Sequence, residues 1–74
     1  MSADIEVKSE VTGAVWKIVT EVGQKVEAGD TIMILESMKM EIPVLVEENG
    51  TIKQFLIAEA APVHEGQVVA ILSH

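Results

Sequence analysis

Few side chains in this sequence are placed to do chemistry, and the one that stands out is an amine. Lys39 lies between Met38 and Met40 in the run ILESMKMEIPV, Ile34 to Val44. A primary amine on a long side chain can be acylated by another enzyme, and this one has no Gly, Asn or Asp beside it. Other candidates fall away. His64 lies on an expected loop and His74 at the end of the sequence, and neither is spaced with another His or Cys for a metal. Ser2, Ser9, Ser37 and Ser73 lack a local nucleophile signature. A chain of 74 residues in a thin β-fold is expected to leave little room for a pocket of the usual ~300 Å³ or more. Intrinsic catalysis and a metal site are therefore not expected.

A lysine in a turn most often does no more than solvate it, and methionines are flexible gap-fillers. The alternation around Met40 suits that role for it. Met38 does not fit a core. The surrounding elements have to decide whether Lys39 is more than a solvating residue.

Those elements come in two copies. Shifted by 37 residues, Gly13–Ser37 falls on Gly50–His74 without a gap. Gly13 meets Gly50, Val26 meets Val63, Gly29 meets Gly66, and Ile34-Leu35 meets Ile71-Leu72. Val15, Ile18, Val19 and Ile32 meet Ile52, Phe55, Leu56 and Val69. Such a repeat indicates two copies of one unit, each too small to close a core alone. In each copy a Gly opens a strand (14–20, 51–57). A turn and a short apolar touch at Val26 or Val63 follow, then a Gly turn and a second strand (31–36, 68–72). Residues 4–7 and 40–46 complete the copies. The halves are about 4–37 and 41–74 of a single domain, 1–74. Short strands with turn signals every 8–12 residues predict a sandwich or barrel. Met38-Lys39 is then the junction, with residues 1 and 74 expected at the opposite end of the molecule.

A helix through the junction is the rival, with Asp30 as N-cap and Pro43 as stop. Three observations favour strand, tight turn, strand. Ile32-Met33-Ile34-Leu35 is apolar on every side. Met38, Met40, Ile42, Val44 and Val46 are apolar at period two. The matching QVVAIL, Gln67 to Leu72, is a poor helix former. Two-residue hairpin turns need positive φ, hence Gly, Asn or Asp. Met and Lys there cost ~1–2 kcal/mol each in left-handed backbone strain. A local rule broken with no structural return points to function.

Composition narrows the classes further. The 49% hydrophobic content suffices for a core, and one Trp, one Phe and no Tyr leave it to Val, Ile and Leu, which favour strands. The absence of Cys excludes a disulfide framework and permits a reducing compartment. Net charge −7 opposes nucleic-acid binding. No run reaches the ~18 apolar residues of a membrane span, and MSADIEVKSE lacks a signal-peptide core. A cytoplasmic location without membrane association is the expectation.

ESMKM, Glu36 to Met40, resembles the attachment motif of biotinyl domains, the carrier domains of biotin-dependent carboxylases. The resemblance runs through Gly13–Val44 and ENGTIKQFLIAEAAPVHEGQVVAILSH, nearly the whole chain. It implies an all-β fold, a flattened eight-stranded β-barrel of two four-stranded sheets with internal two-fold duplication (a barrel-sandwich hybrid). It implies that Lys39 receives biotin from a biotin protein ligase. The arm then carries carboxylate from a biotin carboxylase to a carboxyltransferase acting on an acyl-CoA or 2-oxoacid. Met38, Met40 and Glu36 are the implied recognition residues, and the domain is no enzyme itself. A lipoyl carrier has the same fold, but its motif resembles Asp-Lys-Ala; a short attachment protein could carry either group. Hybrid barrels of efflux adaptors, which lack a modified lysine, normally interrupt long helices. Two departures stand out. EAAPV, Glu59 to Val63, lacks the Gly of EVGQKV, Glu21 to Val26, which leaves that loop's shape open. Nothing between Thr20 and Gln24 is long enough for the extra "thumb" of some carrier subunits.

Overall fold

The computed structural model describes residues 4–73. Met1–Ala3 and His74 lie outside them, and with them the expectations placed on residue 1, Ser2 and His74. The chain forms eight strands and, among the described residues, no helix. They are β1 (Asp4–Lys8), β2 (Gly13–Ile18), β3 (Lys25–Val26), β4 (Thr31–Ser37), β5 (Met40–Leu45), β6 (Gly50–Phe55), β7 (Pro62–Val63) and β8 (Val68–Ser73). The all-β class is as expected, and residues 31–42 run strand, turn, strand rather than helix. Among the described residues no helix is long and apolar enough to cross a membrane.

Two antiparallel sheets stack, ordered β1-β8-β6-β3 and β5-β4-β2-β7. Each takes two strands from residues 4–37 and two from residues 40–73, so neither half completes a sheet alone. Among the described residues the ladders run within each sheet and none joins the two. The flattened barrel is thus a sandwich in its hydrogen bonding. An open groove of about 960 Å³ separates the edge strands β1 and β5. The fold is not too thin to present a hollow, contrary to the expectation from chain length, because the two sheets do not close along this side.

Every buried residue has a buried mate 37 positions away. The pairs are Val7–Val44, Ser9–Val46, Val15–Ile52, Val26–Val63, Ile32–Val69, Met33–Ala70 and Leu35–Leu72. Each fully buried Ile, Leu or Met contributes ~1.5–3 kcal/mol of transfer free energy. Ser9 is the one polar member. Its hydroxyl donates to the Val11 carbonyl at 2.6 Å and accepts from the Val11 N–H at 3.2 Å, so its burial leaves nothing unsatisfied.

The loops repeat as well. The N–H of Gly23 (φ 92°) donates to the Ile52 carbonyl, and the N–H of Ala60 (φ 71°) donates to the Val15 carbonyl. The glycine-free loop at Glu59–Val63 therefore has the shape of its Gly-containing mate. Ala60 accepts the left-handed conformation because its N–H, like that of Gly23, is tied to the neighbouring strand.

Candidate functional site

Lys39 is presented by the β4–β5 hairpin. Ser37 pairs with Met40, so the loop is two residues, and the ladder continues through Glu36–Glu41, Leu35–Ile42 and Ile34–Pro43. Met38 has φ 52° and Lys39 φ 63°. Positive φ at both central residues is the type I′ geometry that matches the right-handed twist of the strands. The turn expected from sequence is thus present, with its strain borne by two residues that seldom occupy it. Asn-Gly would relieve that strain.

The tip stands clear of the core. Met38 is 88% exposed, and Lys39 is exposed, with no hydrogen bond or ion pair from its amine among the described residues. Met40 was expected to fill the core and does not, being 57% exposed. It shares the inward face of Ile42 and Val44. The hairpin, however, runs past the last core layer, so inward at Met40 is into solvent. Glu36 is exposed two residues before the turn and faces its cross-strand partner Glu41.

Three features of the base were not read from sequence. The Ser37 hydroxyl donates to the Thr12 carbonyl at 2.8 Å, tying the hairpin to the loop before β2. Gly13 lies so close behind β4 that a Cβ would collide with the Glu36 carbonyl oxygen. Its alignment with Gly50 was the available signal. Like charges directly opposite one another, as Glu36 and Glu41 are, weaken a ladder. At the equivalent place in the other sheet Ser73 pairs with Asp4, which avoids the repulsion.

The arrangement offers an uncommitted primary amine at a fixed height above a rigid two-stranded stem. Among the described residues it offers no metal ligand set, no hydrogen-bond partner for the amine and no enclosed pocket around it. It can accept an acyl group chosen by another protein and hold it away from the core.

Comparison with known proteins bears on which group. A family profile described as "Biotin-requiring enzyme" matches residues 5–72. The biotin/lipoyl attachment protein of Bacillus subtilis is 38% identical over 68 residues, covering 92% of this chain and 93% of that one. A biotinylated protein TB7.3 homolog of Mycobacterium leprae is 32% identical over 68 residues, covering 92% and 96%. The urea carboxylase structure of Kluyveromyces lactis superposes with TM-score 0.90 at 37% identity, covering 95% of this chain and 6% of that one.

Proposed function

The chain belongs to the biotin/lipoyl family of biotin-requiring proteins, and we propose that it carries biotin on Lys39 as the mobile arm of a carboxylase. Residues 1–74 act as one attachment domain, a carrier and not a catalyst. A biotin protein ligase forms an amide between Lys39 Nζ and the carboxyl carbon of biotin. The amine gives up a proton, and the ligase's activating group leaves with one carboxyl oxygen. Biotin so held supplies an acceptor for carboxylate at a biotin carboxylase and a donor at a carboxyltransferase.

The observation that carries this reading is the strained turn. The fold has no use for Met38 and Lys39 at positive φ, whereas a ligase that recognises Met-Lys-Met at a rigid tip does. Glu36, Met38 and Met40 surround the amine and are the recognition residues. Tethering gives the arm a high effective concentration at both enzyme sites without new contacts. A soluble, cytoplasmic carrier without nucleic-acid or membrane partners is consistent with the acidic surface.

Co-expression with a biotin ligase should add the mass of one biotinyl group, mapped to the peptide containing Lys39. Lys39→Arg should abolish it. An unmodified mass in ligase-rich cells refutes the assignment. The mass of one lipoyl group instead would establish the lipoyl carrier, the reading kept open by the attachment protein of Bacillus subtilis, whose name couples both groups.

A further inference from the structure

The last rung of the hairpin extends past the ladder that supports it. The β2–β4 ladder ends at Ala14–Glu36, whereas the β4–β5 ladder runs one pair further, to Ser37–Met40. That rung and the Met38-Lys39 turn overhang the sheet as a two-stranded ribbon, which by itself is marginal in water. The ribbon also carries the two left-handed residues, and opening the rung relieves their strain. Keeping the turn closed therefore needs a tie from outside the ribbon.

One side-chain bond supplies it. Among the described residues, the bond from Ser37 Oγ to the Thr12 carbonyl, at 2.8 Å, is the only hydrogen bond made by a side chain of residues 36–41. Ser37 is half-buried, while Glu36, Met38, Lys39 and Met40 are exposed. The anchor is itself fixed. The Thr12 hydroxyl accepts from the Glu65 N–H at 3.1 Å, and the next residue, Gly13, pairs with Val63. Glu65 and Val63 belong to the second copy, so the hairpin of one half is fastened through Thr12 to the other. This anchor is part of the repeated scaffold. Asn49, the mate of Thr12, accepts through Oδ1 from the N–H of Ala28, the mate of Glu65, at 2.8 Å. The scaffold holds residue 12 in place whatever the hairpin does, and the Ser37 hydroxyl is what fastens the tip to it.

We propose that Ser37 is a positioning residue for acylation of Lys39, its hydroxyl keeping the strained turn closed so that the ligase meets the amine in one place. The inference rests on the carrier reading above. Ser37 makes no bond to the amine. It acts on the fraction of chains whose tip is competent. Without the hydroxyl, left-handed strain pulls against a single unsupported rung, and the tip frays as a local opening of the fold. Only part of the population then presents Met-Lys-Met in the shape the ligase binds, and apparent affinity falls by that fraction. Chemistry after binding is unaltered. The net worth of one neutral hydrogen bond sets the scale, about three- to tenfold.

The test uses the whole chain and the biotin ligase of its native cell. Ser37→Ala removes the hydroxyl and little else. KM for the chain in biotinylation should rise about three- to tenfold with kcat retained, and NMR order parameters should fall at Met38–Met40 and not elsewhere. Ser37→Thr restores a hydroxyl and should reverse both effects. Thr20→Val controls for a simple loss of stability. Thr20 Oγ1 donates to the Ile32 carbonyl at 3.0 Å, a comparable bond at the other end of β4. Its loss should lower Tm at least as much as Ser37→Ala does, while KM and tip order stay as they were. A KM unmoved by Ser37→Ala, raised as much by Thr20→Val, or not restored by threonine overturns the proposal, as does unchanged order at the tip. Failure of the unaltered chain to take biotin overturns the carrier reading instead, and the NMR comparison still decides whether Ser37 closes the turn.

Discussion

The hairpin tip should be a place where stability has been given up, and replacing Met38-Lys39 by Asn-Gly measures how much. Both residues occupy left-handed backbone, with φ 52° and 63°, at ~1–2 kcal/mol each for an ordinary L-residue. Glycine at 39 removes that cost but loses ~0.5–1 kcal/mol to the freedom of the unfolded chain. Asparagine at 38 recovers part of it, since it tolerates this conformation better than methionine. Little is forfeited in exchange. Met38 is 88% exposed, and Lys39 is exposed and unbonded among the described residues. The Ser37–Met40 register is the one an Asn-Gly loop prefers. The net gain is about 1–2 kcal/mol. At ~4–8 °C per kcal/mol for a domain of this size, calorimetry should show a Tm rise of about 5–10 °C. Met38→Asn alone should give the smaller part of that rise while the lysine remains, and its biotinylation by the ligase should slow. Ala60→Gly is the control, because the same relief at φ 71° lies in a loop far along the chain from the motif. It should raise Tm without touching modification. A Tm that is unchanged or lower in the Asn-Gly chain, with Ala60→Gly stabilising as expected, would show that the turn is not strained. Met38 and Lys39 would then sit in the turn at no cost, and their presence there would give no sign of function.

Two further substitutions test the scaffold. Gly13→Ala drives a Cβ into the Glu36 carbonyl, whereas Gly50→Ala meets the Ser73 carbonyl at only 3.0 Å. The first should therefore be the more destabilising in urea, by about 1–3 kcal/mol, and equal losses would mean that Gly13 does not brace the hairpin. Met33→Ala empties a fully buried position and should cost about 2–5 kcal/mol, enough to leave a domain this small partly unfolded by circular dichroism at 37 °C.

The hairpin and its lysine were legible in the sequence because two independent signals agreed. The period-two pattern from Met38 to Val46 and the absence of a helical stripe at Ile32–Leu35 both demanded strands. What the sequence withheld was tertiary. A repeat identifies equivalent positions but not which strands pair, so the exchange of β1 and β3 with β5 and β7 between sheets could not be read. Alternation assigned Met40 to the inner face of β5 but could not say that the hairpin outruns the core. Ala60 concealed a glycine-like turn because the restraint on its backbone is a hydrogen bond to Val15, 45 residues away in the chain. The opposition of Glu36 and Glu41 needed the register of the ladder.

The same duplication explains why the molecule has one acceptor and not two. Each half ends in a strand whose last residues face the first strand of the other half: Glu36 against Glu41 in one sheet, Ser73 against Asp4 in the other. Only the first pair is joined by a two-residue turn. The second is separated by most of the sequence, so no tight loop lifts a side chain at that place. The differences gather around that single turn. Ser73–Asp4 gives way to a repulsive Glu36–Glu41, and Lys53, Glu6 and Lys8 give way to Trp16, Pro43 and Leu45. Core mates stay apolar everywhere except at Ser9. The fold constrains the interior of both copies alike. Charge repulsion, backbone strain and exposed apolar surface each disfavour the isolated domain, and each occurs on the sheet and hairpin that bear Lys39. A purely structural lysine would leave that coincidence without a cause, whereas partners that must recognise that one hairpin supply it.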